Sequence, residues 1–133
     1  MLQRLKVRLL VVALGALAVL GVAAPASAGD YNGSCETGEV CLYWGYNYVG
    51  GLGDFSGNVN NYKSFTFKGS GSGVGQNMND NVASMKNRGR YMTISACVDS
   101  WRRGDCIRAY PGEAYSNLGV YANRLSSHGW VLY

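Results

Sequence analysis

The chain opens with three basic residues, Arg4, Lys6 and Arg8, and then runs apolar without interruption from Leu9 to Ala24. Beyond that point the pattern changes. Apolar and aromatic residues come in short runs separated by Gly, Asn and Ser clusters, and no stretch sustains a 3.6-residue period. Short runs between turn residues predict strands rather than helices. Two strand candidates stand out, Glu39-Val40-Cys41-Leu42-Tyr43 and Tyr91-Met92-Thr93-Ile94-Ser95, with Asn87-Arg88-Gly89-Arg90 as the turn between the units they begin. The expectation is an all-β domain.

The first segment has a different fate. A basic start, a short apolar centre, Pro25 and the small-residue exit Ala26-Ser27-Ala28 are the parts of a secretory signal. Residues 1–28 are expected to be removed, leaving 29–133 as one secreted domain. The competing reading is a membrane anchor, but the apolar run sits at roughly the lower length limit for spanning a bilayer. The signal takes three of the twelve basic residues and none of the eight acidic ones, so the exported part carries nine against eight. That near-neutral balance argues against a nucleic-acid binder, which needs a basic face. It also argues against membrane attack by a basic amphipathic segment.

All four cysteines, Cys35, Cys41, Cys97 and Cys106, lie in the exported part, and outside the cell an even count reads as disulfides. Three pairings are possible, and the short spacings favour Cys35–Cys41 and Cys97–Cys106. Zinc is disfavoured: neither pair has C-x2-C spacing, and His128 is the only histidine. Near the chain end and between Ser127 and Gly129, His128 reads as a surface turn residue. It would have to serve alone in any Ser-His-Asp triad. The run Gly69-Ser70-Gly71-Ser72-Gly73-Val74-Gly75 matches no nucleophile-elbow or phosphate-loop pattern and reads as a flexible loop. Asn32-Gly33-Ser34 reads as a flexible leader. The chain is expected not to be an enzyme.

Comparing the chain with itself is more informative. MNDNVASM (78–85) superposes on YANRLSSH (121–128) with an offset of 43, placing Asp80 on Asn123, Val82 on Leu125 and Ser84 on Ser127. Two β units of about forty residues, roughly 39–87 and 91–130, predict two Greek keys packed as a sandwich.

Tyr43-Trp44-Gly45-Tyr46-Asn47-Tyr48-Val49-Gly50 fits aromatic-x4-aromatic-x-Gly, and the two superposed stretches resemble N/D-N/D-x-x-S/T-S. These elements resemble the βγ-crystallin signature, in which a tight hairpin of the first two strands ends on a glycine at positive φ. With the leading signal and two local cysteine pairs, the chain resembles the secreted βγ-crystallin-like peptidase inhibitors of actinobacteria, whose best-known members block thermolysin-like metallopeptidases. In the second unit, Ala96 to Trp101 departs from the aromatic signature.

The resemblance implies a mode of action. A disulfide-closed loop, Cys97 to Cys106, would be offered to a secreted or environmental peptidase as a substrate that is poorly released, by a chain expected to be a monomer. A cysteine–valine step opening such a loop is the implied reactive position, with Val98 in the apolar pocket beyond the bond. A trypsin-like target would instead read Arg102 or Arg103. The competing reading is a loop stapled for stability alone. The resemblance also implies calcium ligands shared between units: Asp80 with Ser126 forms one weak candidate site, whereas Asn123 pairs with Ala83, which offers no oxygen. No other cofactor is expected. The rival functions are a calcium-binding, stress-type module and a secreted toxin-like βγ-crystallin.

Overall fold

The computed structural model describes residues 29–132, so the expected signal peptide, 1–28, lies outside the described residues. Among the described residues seven strands form two antiparallel sheets. They are β1 (Val40–Tyr43), β2 (Leu52–Phe55), β3 (Ser84–Asn87), β4 (Thr93–Asp99), β5 (Arg103–Ala109), β6 (Ala114–Tyr115) and β7 (Ser127–Val131). One sheet runs β2-β1-β3-β6 and the other β5-β4-β7. Val59 adds a single bridge to His128 on the outer side of β7. Each sheet therefore takes three strands from one half of the chain and a short fourth edge, β6 or Val59, from the other. This is the pairing of two Greek keys in one sandwich. The all-β expectation holds, with four short 3-10 turns between strands.

Alternation along the strands sets the core. Val40 and Leu42 of β1, Met85 of β3, Ile94 and Ala96 of β4 and Ala109 of β5 meet Phe55, Met78 and Leu125 between the sheets. Truncating a buried leucine or isoleucine here to alanine costs about 2–5 kcal/mol. The alternate residues of β1, Cys41 and Tyr43, are buried as well, in a smaller cluster with Leu52 that Cys35 and Tyr48 pack against. That second cover explains why all four residues of β1 are buried.

Two segments expected to be flexible are tied down. The leader is held by Asp54, whose carboxylate accepts from the backbone N–H groups of Asn32 (2.9 Å) and Gly33 (2.8 Å). Tyr31 stacks on Phe55. The glycine-rich run is pinned by Gly51 N–H to the Ser72 carbonyl (2.7 Å). It also accommodates Trp44, whose ring occupies the space a side chain at Gly73 would need. The turn between the halves is closed by Asn87, which donates to the carbonyls of Met92 (3.0 Å) and Ala109 (2.8 Å).

Candidate functional site

The β4–β5 hairpin is where sequence chemistry and exposure coincide. Cys97 and Cys106 face each other across it and are joined by a disulfide, and Cys35–Cys41 forms the other bridge. Beyond the disulfide the ladder is interrupted by a bulge at Val98 before Asp99 pairs with Arg103. Ser100–Arg102 make the apex turn, and Trp101 and Arg102 both have positive φ (61° and 58°). Trp101 is 61% exposed, and Arg102, Arg103, Gly104 and Asp105 are exposed with it.

Polar bonds hold this apex to the rest of the molecule. The Ser127 hydroxyl donates to the Asp99 carbonyl (2.6 Å) and accepts from the Arg102 N–H (2.9 Å). Trp101 N–H donates to the Asn60 carbonyl (2.7 Å), and Arg102 Nη1 donates to Asn60 Oδ1 (3.0 Å). Non-glycine residues at positive φ carry a cost of about 1–3 kcal/mol each. These bonds offset it. Neither Ser127 nor Asn60 was singled out by sequence for this role, although the superposition of Ser84 on Ser127 already marked the serine as structurally paired.

The predicted residues are placed unevenly. Cys97 is 1% exposed and lies in the central strand of its sheet, with its carbonyl accepting from Ser126 N–H (2.8 Å). Within the disulfide-closed segment Cys97 to Cys106 the exposed part begins at Asp99, because β4 is hydrogen-bonded on both sides up to Cys97. Val98 is half-buried at the bulge. Arg103 is exposed and extended (φ −107°, ψ 171°). Arg102 has its backbone and side chain committed to Ser127 and Asn60.

The structure does bring Asp80 and Ser126 to one cavity, which Asn79 and Asp99 also line. Lys63 and Arg103 face the same space, and Asp80 accepts from the Asn79 amide (2.9 Å). Two carboxylates, two amides (Asn61 and Asn79) and two hydroxyls (Ser100 and Ser126) line it, but the two cations offset the carboxylate charge that would draw a calcium ion. Among the described residues no group of three or more His, Cys, Asp or Glu is placed to hold a metal.

His128 is not the surface turn residue expected. It lies in β7, fully buried, with Nδ1 2.8 Å from the Tyr62 hydroxyl and Nε2 2.9 Å from the Gly57 carbonyl. Nε2–H donating to Gly57 and Nδ1 accepting from Tyr62 satisfies both partners with a neutral ring. Burial pushes its pKa down to about 4. This is a core residue.

Residues 28–109 match the model of peptidase inhibitor family I36. The chain belongs to that family. The match spans the first half and runs through the whole β4–β5 hairpin. A member of family I36 acts on peptidases and is not itself an enzyme. No curated protein matches this chain in sequence. Among solved structures, one reported under the evolution of the eye lens βγ-crystallin domain fold is 25% identical (TM-score 0.58; 80% of this chain, 93% of that one). Spherulin 3A from Physarum polycephalum is also 25% identical (TM-score 0.54; 77% and 90%). A βγ-crystallin from Ciona intestinalis is 20% identical (TM-score 0.56; 71% and 100%). The I36 chain thus carries its inhibitor function on a βγ-crystallin fold. Its two disulfides suit an oxidising, extracellular setting.

Proposed function

We propose that the chain inhibits thermolysin-like metallopeptidases, presenting the hairpin closed by Cys97–Cys106 as a substrate that is held and poorly released. One contrast within the hairpin carries this reading: an exposed apex stands on a neck fixed by a disulfide and hydrogen-bonded into the opposite half of the domain. A segment ordered in advance loses little entropy on docking. Val98 supplies the medium-sized apolar residue for the pocket beyond the attacked bond, and it sits where the β4–β5 ladder is interrupted. Engaging the Cys97–Val98 bond first requires Ser126 to release the Cys97 carbonyl, so the end of β4 must peel from β7. If the bond is cut, the disulfide keeps both ends attached.

In this reading the chain acts as a monomer on secreted or environmental peptidases, after export and removal of residues 1–28. A second reading is favoured by Arg103, which is exposed and extended enough to enter a trypsin-like pocket with a buried carboxylate.

Titrating thermolysin and trypsin side by side with the exported chain separates the two. Stoichiometric thermolysin inhibition that Val98→Gly weakens supports the first reading. Trypsin inhibition lost in Arg103→Ala supports the second. A chain that inhibits neither, yet melts at a higher temperature with calcium, would be a calcium-stabilised module instead.

A further inference from the structure

We infer that the side chain of Asn60 is a positioning residue for inhibition: through Arg102 it holds the apex of the β4–β5 hairpin against the opposite half of the domain and slows the cutting and release of a bound hairpin. The inference rests on the hairpin reading proposed above.

The two halves of the molecule provide an internal comparison. In both hairpins the first positive-φ residue reaches across to a carbonyl of the other half: Trp101 N–H to Asn60 (2.7 Å) and Asn47 N–H to Ser116 (2.9 Å). In the second hairpin a side-chain link is added, from Arg102 Nη1 to Asn60 Oδ1 (3.0 Å). The arginine stem is laid over Gly129, where a Cβ would come within 2.5 Å of Arg102 Cδ. Tyr48, in the place of Arg102, instead packs its ring on Tyr43 and beneath the Lys86 ammonium, both in its own half. Beyond that shared backbone bond, the side chain of one apex packs on rings in its own half, and that of the other reaches between halves.

Asn60 is a firm anchor. Its neighbour Val59 exchanges backbone bonds with His128 (3.0 and 2.9 Å), and Asn58 Oδ1 accepts from Trp130 N–H (2.8 Å). The segment carrying Asn60 is in effect an edge of the second sheet.

Hydrolysis of a hairpin bond adds water across it. The carbonyl carbon takes the hydroxyl and becomes a carboxyl group, the nitrogen takes the hydrogen and becomes an amine, and the carboxyl proton passes to that amine to leave a carboxylate and an ammonium. Both new ends stay joined through Cys97–Cys106, and the reverse step expels the same water. Holding Arg102 in place keeps the ends apposed, which favours reclosure over escape.

The test compares wild type, Asn60→Ala, Asn60→Asp and Ser116→Ala. Each is mixed in slight excess with thermolysin and, in parallel, with trypsin, while enzyme activity and chain nicking are followed. Asn60→Ala should inhibit with the initial stoichiometry of wild type but be nicked roughly three- to tenfold faster, the range expected for one lost exposed hydrogen bond. Asn60→Asp should restore wild-type behaviour, because a carboxylate accepts from the guanidinium at least as well. Ser116→Ala should change nothing, since only its carbonyl is used. Equal nicking of wild type and Asn60→Ala, with melting temperature retained, overturns the inference and leaves the hairpin reading standing. If wild type inhibits neither enzyme, the hairpin reading falls, and this inference with it. Should Asn60→Ala fail to fold, Arg102→Met keeps the stem over Gly129, removes the donor and carries the same prediction.

Discussion

Ser84 and Ser127 make the same pair of hydrogen bonds in the two halves of the molecule. Each hydroxyl donates to a carbonyl at the turn of its hairpin, Gly45 or Asp99, at 2.6 Å in both cases. Each accepts from the N–H of a positive-φ residue, Tyr48 (3.1 Å) or Arg102 (2.9 Å). Both serines are fully buried. One side chain thus fixes a whole hairpin turn, twice. Ser84→Ala and Ser127→Ala should each lower stability by about 1–3 kcal/mol, read from denaturant melts. Only Ser127→Ala should also weaken inhibition, because only its hairpin faces the enzyme.

Acid should destabilise the fold through His128. Its folded pKa of about 4 lies below the unfolded value near 6.5, with burial as the main cause. The neutral form is the one that fits, so its contribution is fully present above pH 6.5. It is lost as pH falls from there through 4, by about 3 kcal/mol in all. Glu39 works in the opposite sense: burial raises its pKa, so its cost is relieved in acid. Chemical denaturation between pH 7 and 4 on a Glu39→Gln background should isolate the histidine slope, and a further His128→Met with Tyr62→Phe should remove it.

The two disulfides should separate stability from function. Replacing Cys97 and Cys106 together by serine should cost about 2–3 kcal/mol from loop closure and abolish lasting inhibition. Replacing Cys35 and Cys41, which fasten the leader to β1, should cost a similar amount while titration against the enzyme still reaches full inhibition.

Gly50 and Gly104 hold equivalent positive-φ places (85° and 73°) at the ends of the two hairpin turns. A Cβ at Gly50 would come within 2.6 Å of the Ser72 carbonyl, which is backbone, whereas at Gly104 it meets the side chains of Asp99 and Val98. Gly50→Ala should therefore cost more than Gly104→Ala, with the strain alone worth about 1–3 kcal/mol in each. Thermal melts of the two variants provide the comparison.

The first hairpin was legible in the sequence because its aromatics and glycine are the turn's own requirements. The second was obscured. Ala96 to Trp101 departs from the aromatic signature, and the structure aligns the second hairpin with the first at an offset of 54: Cys97 stands for Tyr43, Arg102 for Tyr48 and Gly104 for Gly50. Its turn is held by a disulfide and by Ser127 and Asn60, so the aromatic pattern vanished while the backbone stayed. The spacing from Cys97 to Gly104, equal to that from Tyr43 to Gly50, was the available signal. The burial of His128 is hidden in the local sequence because its partner Tyr62 is 66 residues away. Yet the superposition had already set it on Met85, a fully buried core residue. The burial of Cys97 was hidden for a related reason. Charge in Asp99 to Asp105 marks exposure correctly, but nothing local shows where the central strand ends.

The most direct test of the hairpin as the inhibitory element is amide hydrogen exchange on the chain alone and in complex with the peptidase it inhibits. New protection confined to residues 98–105, with the flanking strands already protected in the free chain, is the predicted result. Protection around Trp44 to Val49 with none at 98–105 would contradict it.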